Sequence, residues 1–344
     1  MANNLWPEKF FVKNMAREDK AMLPVNAKMV RPFLLMILFL LVLVTLPAET
    51  FIDPMSDSNL VLPAGSGITW RWLIPPVTLE KPIKKHTIAN IKFSVDPRGI
   101  PWIGLENRRL LNPVRQVTAV PSEPFQDFVF LDNGLMLLTT VRTIGFIANS
   151  GKEEFDGQGY PVMPFQPICD LPSYYSRVYG ASGNCVFLVS EDAGTKKTSI
   201  YLLKPEAVSA GGKLELRNYH KIFETGDAVT AVAGDDTKAF IALGKLVVML
   251  NIADSKLTVI PAQPDEEVRE LAYRAGIGLF YAGASGVGFL GAKRAFRFIE
   301  TSHARIALHQ KSLVVLFPRN LGVLAFDNID RLWNFDYQLS AAGE

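Results

Sequence analysis

Two cysteines, four histidines and a handful of turn aspartates are the side chains of this 344-residue chain with the chemistry to cross-link, ligate or catalyse. Cys169 and Cys185 have 15 residues between them. In an oxidising compartment such a pair can close a disulfide worth ~3 kcal/mol through loop closure. Their spacing is not that of a C-x-x-C redox couple, and Cys185 opens the apolar run CVFLV, which suits a buried free thiol equally well. A disulfide and two free thiols therefore both stay open. The histidines are His86, His220, His303 and His309. No H-x-x-x-H or H-E-x-x-H pair exists among them, which argues against a His-rich zinc site. His303 and His309 share one face only if a strand runs unbroken between them. Asp96, Asp132 and the pair Asp235-Asp236 fall in turns, where aspartate ordinarily bonds its own backbone. A divalent cation there needs several convergent oxygens, so metal binding is left unassigned. G-x-S-x-G does not occur, since Gly283-Ala284-Ser285-Gly286 has the wrong spacing for a nucleophile elbow, and G-x-G-x-x-G does not occur as a dinucleotide loop. No catalytic set and no cofactor is expected. The aromatic and proline-rich stretch 160–175 is different in kind, and Tyr160, Pro164, Phe165, Tyr174 and Tyr175 are its candidates for contact with a protein partner.

The elements that carry these residues read as strands. Beyond residue 64 the chain consists of short β-branched and aromatic runs punctuated by Gly, Asp, Asn and Pro, the pattern of an all-β body. One unit recurs: an apolar strand, an Asp/Asn/Gly turn, a second apolar strand and a Gly-led third. The turns fall near residues 97, 133, 182, 235, 276 and 310. Their steps bracket the ~40–50 residues of a four-stranded propeller blade. Six blades are expected over residues 65–335, or seven if residues 60–75 nucleate one of their own, with 336–344 as a tail. Ile68–Ile74 alternates like a strand and is expected to close the ring against strands near Leu332–Phe335. Pro264–Arg274 reads as a short helix whose VRELAY end could equally be strand. Ala275–Ala292 reads as a buried hairpin split at Gly283–Gly286 rather than a membrane span, because Gly weakens a helix by ~1 kcal/mol. Trp70, Trp72, Trp102 and Trp333 are expected between blades.

Asp96-Pro97-Arg98-Gly99-Ile100-Pro101-Trp102-Ile103-Gly104 resembles the D-x-x-G-x-x-W-I-G turn of extracytoplasmic two-component-regulator propeller repeats, and Asp132–Leu138 looks like a degenerate copy. The resemblance implies a β-propeller in an extracytoplasmic setting. The other four units keep the turn without the tryptophan, and a sensor-kinase role does not carry over.

Phe33–Leu46 is 14 uncharged apolar residues, roughly 21 Å as a helix against a hydrocarbon core of ~30 Å. Lys9, Lys13, Arg17, Lys20, Lys28 and Arg31 precede it, and Glu49, Asp53 and Asp57 follow, so the body is expected outside the cytoplasm. Residues 33–48 are either a signal-anchor helix or a cleaved signal peptide. Residues 1–32 are then a cytoplasmic extension or a mis-assigned start, and 49–64 a linker. Lys81–His86 reads as a solvated basic linker. The formal charge of +2 is concentrated before the apolar segment, and the near-neutral body argues against nucleic acid as a partner. The expected role is a non-catalytic interaction scaffold in a cell-envelope assembly. The alternatives are a propeller hydrolase or lyase with a channel metal, and a ligand-sensing module.

Overall fold

A computed structural model describes residues 66–76, 90–105, 109–147, 154–174, 176–208, 213–319 and 321–333. The apolar segment at 33–48, the flanking 1–32 and 49–64, the basic run 81–86 and the tail 336–344 lie outside the described residues. What is described is a six-bladed β-propeller built from antiparallel sheets. Blade 1 contains β2 (Lys92–Val95), β3 (Pro101–Leu105), β4 (Arg109–Asn112) and β5 (Val117–Pro121). Blade 2 contains β6 (Asp127–Phe130), β7 (Met136–Thr139), β8 (Thr143–Ile147) and β11 (Phe165–Asp170). Blade 3 follows with β12 (Arg177–Ala181), β13 (Cys185–Glu191), β14 (Thr198–Val208) and β15 (Lys213–Thr225). Blade 4 is β16 (Ala231–Gly234), β17 (Lys238–Leu243), β18 (Leu246–Asn251) and β19 (Lys256–Val259); blade 5 is β20 (Val268–Arg274), β21 (Gly278–Gly283), β22 (Gly286–Leu290) and β23 (Ala295–Glu300).

Blade 6 takes three strands from the end of the propeller, β24 (Arg305–His309), β25 (Ser312–Phe317) and β26 (Gly322–Asp327), and its fourth from the beginning, β1 (Thr69–Ile74). Thr69 faces Asp327 and Ile74 faces Val323. The ring is thus closed by the strand expected to close it, but its partner is Gly322–Asp327 and not Leu332–Phe335, since residues 331–333 form a helical turn. Using residues 69–74 this way leaves no seventh blade. Without them, the apolar β26 would present an unpaired edge.

A single blade has two faces and can bury neither alone. Its neighbours supply the cover, and each junction holds one apolar cluster. Blades 1 and 2 meet at Leu110, Phe125, Phe128, Met136 and Leu138, with Trp102 tilted against Phe130 at 5.8 Å. Blades 5 and 6 meet at Phe280, Phe289, Phe298, Phe317 and Phe326, against which Trp70, Trp72 and Trp333 pack. The tryptophans therefore fill space between blades, as their sequence positions indicate.

The turns between first and second strands are set by local chemistry. Asp96 Oδ1 accepts hydrogen bonds from the backbone N–H of Arg98 (2.9 Å) and Ile100 (3.0 Å), and Gly99 takes a φ of 79° that suits glycine. Asp156 makes the same turn further on, bonding Gln158 and Tyr160 N–H at 2.9 Å.

Two segments depart from the simple repeat. The long step between the second and third turns carries β9 (Glu154–Phe155) and β10 (Pro161–Met163), which leave blade 2, add to the outer edge of blade 1 with β10 parallel to β5, and return as β11. The next step carries β14 and β15, whose pairing runs on from Lys204↔Arg217 to Val208↔Lys213, past the last β13–β14 pair at Val186↔Leu203. Pro264–Arg274 contains no helix. Val268, Leu271 and Ala272 are buried at the junctions of β20, and strand pairing with β21 overrides the helical charge pattern of its first half. Ala275–Ala292 is the expected hairpin, β21 and β22, buried along both strands.

Candidate functional site: the central channel

The first strand of each blade, β2, β6, β12, β16, β20 and β24, faces the axis, and together they enclose a channel of about 320 Å³. These strands run in one direction around the ring, so residues at their starts gather at one mouth and the turns that follow them gather at the other. The turn mouth is bridged. Arg274 of blade 5 reaches across to Asp132 of blade 2, with Nη2 at 2.7 Å from Oδ1. Gly183 N–H donates to the other Asp132 oxygen (3.1 Å), Asn133 N–H donates to Asn184 Oδ1 (2.8 Å), and Ser182 N–H donates to Gly234 O (3.0 Å). Blades 2 to 5 are tied together across this end.

At the strand-start mouth stand Lys92, Asp127, Arg177, Arg269, Glu270 and Arg305. Arg305 Nη1 lies 2.9 Å from Glu270 Oε1, and Glu270 Oε2 accepts the Ile306 N–H at 2.8 Å. Burial nevertheless raises the Glu270 carboxyl above its usual range, with Arg305 and the Ile306 N–H acting against that rise. Arg177 donates to the carbonyls of Val229 and Thr230, with Nη1 at 3.4 Å from the latter, and stacks 5.9 Å over Tyr179. The Tyr179 hydroxyl donates to Thr230 O (3.2 Å), and burial pushes it up to about 12, so it remains a donor at neutral pH.

The turn aspartates are each committed. Asp96 holds its own turn, Asp132 pairs with Arg274, Asp235 Oδ1 accepts the N–H of Thr237 and Lys238, and Asp236 pairs with Lys204 at 2.9 Å. Among the described residues no group of three or more His, Cys, Asp or Glu is arranged to hold a metal. His303 and His309 do not share a strand face: His303 sits in the turn before β24 with φ of 62°, next to Arg269, and His309 ends the strand at the opposite mouth.

Burial in the channel, reinforced by Arg274, holds the His309 imidazolium below its ordinary range. The fold therefore favours neutral His309, while the unfolded chain takes up its proton as pH falls below about 6.5. Stability is lost over that descent. The wild-type melting temperature should drop more than that of His309→Asn between about pH 7.5 and about pH 5.5; parallel curves in differential scanning calorimetry would contradict the assignment.

Cys169 and Cys185 are both free thiols. They belong to different junctions, Cys185 between blades 3 and 4 and Cys169 against the cluster between blades 2 and 3. Cys185 Sγ donates to Ser182 O at 3.1 Å. Burial raises Cys185 to about 12 and Cys169 to about 11, which leaves little thiolate to react. A chromogenic disulfide reagent at about pH 8 should titrate almost no thiol in the folded protein and two in denaturant without reductant; recovery of none in denaturant would restore the disulfide.

Of the partner-contact candidates, Tyr160 sits under the Arg109 guanidinium at 5.0 Å, Pro164 links β10 to β11, and Phe165 begins β11 and packs at the junction of blades 1 and 2. These three serve the blade 1–blade 2 linkage. Tyr174 is 58% exposed beside Arg142, at 5.8 Å, and Tyr175 lies outside the described residues. The charged strand-start mouth was missed by sequence reasoning. Its signal is a charged residue just ahead of, or heading, the apolar run of five inner strands, in Lys92, Asp127, Arg177, Glu270 and Arg305, with Thr230 in the corresponding place in blade 4.

No protein-family model matches the chain, and no curated protein matches it. Solved structures similar to it include a gluconolactonase from Xanthomonas campestris, at 12% identity over 78% of this chain and 99% of that one, with a TM-score of 0.45. Regucalcin, a calcium-binding protein from Agrobacterium tumefaciens, is 12% identical over 73% of this chain and 93% of its own, with a TM-score of 0.46.

Proposed function

We propose that this chain is an exported, membrane-tethered β-propeller that acts as a non-catalytic interaction scaffold in a cell-envelope assembly. The observation that favours binding over metal-dependent catalysis is the commitment of the channel carboxylates: Asp132 to Arg274, Glu270 to Arg305 and Asp96 to its own turn. A cation would have to displace existing partners from each. Export rests on the charge-flanked apolar run Phe33–Leu46, with the propeller following on its acidic side. On the partner side, Tyr174 and Val141, the latter 42% exposed, offer apolar surface on the rim of blade 2 at the face where the inner strands begin. Aromatic groups on a rigid scaffold are efficient anchors, because little side-chain entropy is lost on binding.

The test is affinity purification of the tagged full chain from envelope membranes of its own host. A partner recovered in near-equal amount, and lost with Tyr174→Ala, supports the scaffold. Recovery of the chain alone, or from the soluble cytoplasmic fraction, overturns it.

A further inference from the structure

The channel is lined by Lys92, Arg177, Arg269, Arg274 and Arg305 against Asp96, Asp127, Asp132 and Glu270. Arg274 and Arg305 are neutralised by Asp132 and Glu270. What remains at the strand-start mouth is an excess of positive charge. Arg269 contacts the ring nitrogen of His303 at 2.9 Å, and Arg177 donates to two backbone carbonyls, so neither has its charge cancelled by a carboxylate. The Lys92 backbone pairs with Gly104, but its ammonium has no hydrogen-bond or ion-pair partner among the described residues, although it lies near enough to Glu270 to favour the ionised carboxylate. Asp127 is the opposing carboxylate, and one of its oxygens accepts the Phe128 N–H.

Three cations facing one carboxylate in a confined cleft attract an anion more strongly than the same groups on an open surface, because the cleft focuses their field. Arg177 is also pre-oriented: its bonds to blade 4 and its stacking on Tyr179 fix the guanidinium before any ligand arrives. The opposite mouth is crossed by Arg274–Asp132, which narrows that end, and the channel's volume of about 320 Å³ matches a metabolite rather than a polymer.

We propose that the channel binds a small organic anion, its carboxylate or phosphate group received by Lys92 and Arg177 at the strand-start mouth and its body extending along the axis toward Arg274. Lys92 supplies a mobile charge and Arg177 a fixed one. The site does not depend on export or on a protein partner, so failure of the scaffold reading leaves it standing.

Titration calorimetry on the full chain with citrate and with inorganic phosphate tests the site, with sodium chloride at matched ionic strength as the control for screening. Saturable binding of at least one probe is expected. Lys92→Gln should weaken it about tenfold or more, which corresponds to about 1.4 kcal/mol, while Lys92→Arg should hold it within about threefold. Lys245→Gln, on the β17–β18 turn, should leave binding unchanged. Binding of citrate alone assigns the site to carboxylates, and of phosphate alone to phosphoryl groups. Circular-dichroism melts establish that each variant is folded, and Lys92→Glu provides a second charge change at the same position. No saturable heat with either probe, or unaltered affinity in folded Lys92→Gln and Lys92→Glu, overturns the inference.

Discussion

A chain that begins at residue 77, and so lacks β1, is expected to lose cooperative thermal unfolding, whereas one that begins at residue 66 should melt like the full chain. The reason is the way the ring closes. β26 pairs with β25 on one side and with β1 on the other, through Thr69↔Asp327 to Ile74↔Val323. Removing β1 strips one ladder and leaves a full row of backbone donors and acceptors on a strand whose residues Gly322–Phe326 are buried. It also removes Trp70 and Trp72 from the blade 5–blade 6 cluster, where Trp72 meets Phe317 at 5.9 Å. The point variant Trp72→Ala isolates the packing part of the loss. For a half-buried tryptophan it should cost about 3 kcal/mol, a fall of roughly 6–12 °C for a domain of this size. Melts followed by circular dichroism check both. A truncated chain that unfolds cooperatively within a few degrees of the full protein would show that β1 decorates the ring without closing it.

What the sequence makes legible is what depends on neighbouring residues. Asp96–Gly99 and Leu131–Gly134 advertise their turns because aspartate or asparagine caps and positive-φ glycine act within four residues, and the observed Gly99 and Gly134 φ values are 79° and 92°. The apolar runs between turns then become strands wherever a neighbouring blade can cover them. Closure is another matter. Ile68–Ile74 announces itself as a strand, but which strand it joins is decided more than 240 residues away by where blade 6 runs short. The PDEEVRELAYR stretch carries a helix-like charge pattern, and only burial at two junctions turns its second half into β20. The path of residues 154–170 is less readable still, since β10 crosses to blade 1 in parallel with β5 before the chain returns. The strand-start charges illustrate the limit for the site. Lys92, Arg177 and Arg305 are dispersed over the chain as ordinary strand-flanking residues, and they become one electrostatic object only when six inner strands share an axis.

Arg297→Leu is expected to cost about 3–5 kcal/mol, more than loss of its salt bridge alone would suggest, because it strands a buried charge. Glu266 is 8% exposed and lies against the tip of the β21–β22 hairpin. Its Oε2 accepts both the N–H and the hydroxyl of Ser285, the latter at 2.8 Å, while Oε1 lies 3.1 Å from Arg297 Nη2 without an aligned hydrogen bond. Arg297 also reaches Asp265 Oδ1 at 2.7 Å. A Cβ at Gly283 would collide with the Glu266 carboxyl, and one at Gly286 with the Arg297 stem, so both glycines of Gly-Ala-Ser-Gly clear space for this pair. Removing the cation leaves the carboxylate buried with Ser285 as its one direct support among the described residues. Glu266→Gln removes the charge but keeps an acceptor for Ser285, and should cost only about 1–2 kcal/mol. The double variant Glu266→Gln/Arg297→Leu should then be more stable than Arg297→Leu alone, a coupling that a double-mutant cycle in urea reads directly. Additive losses would mean that Arg297 acts through its packed stem over Gly286 and not through its charge.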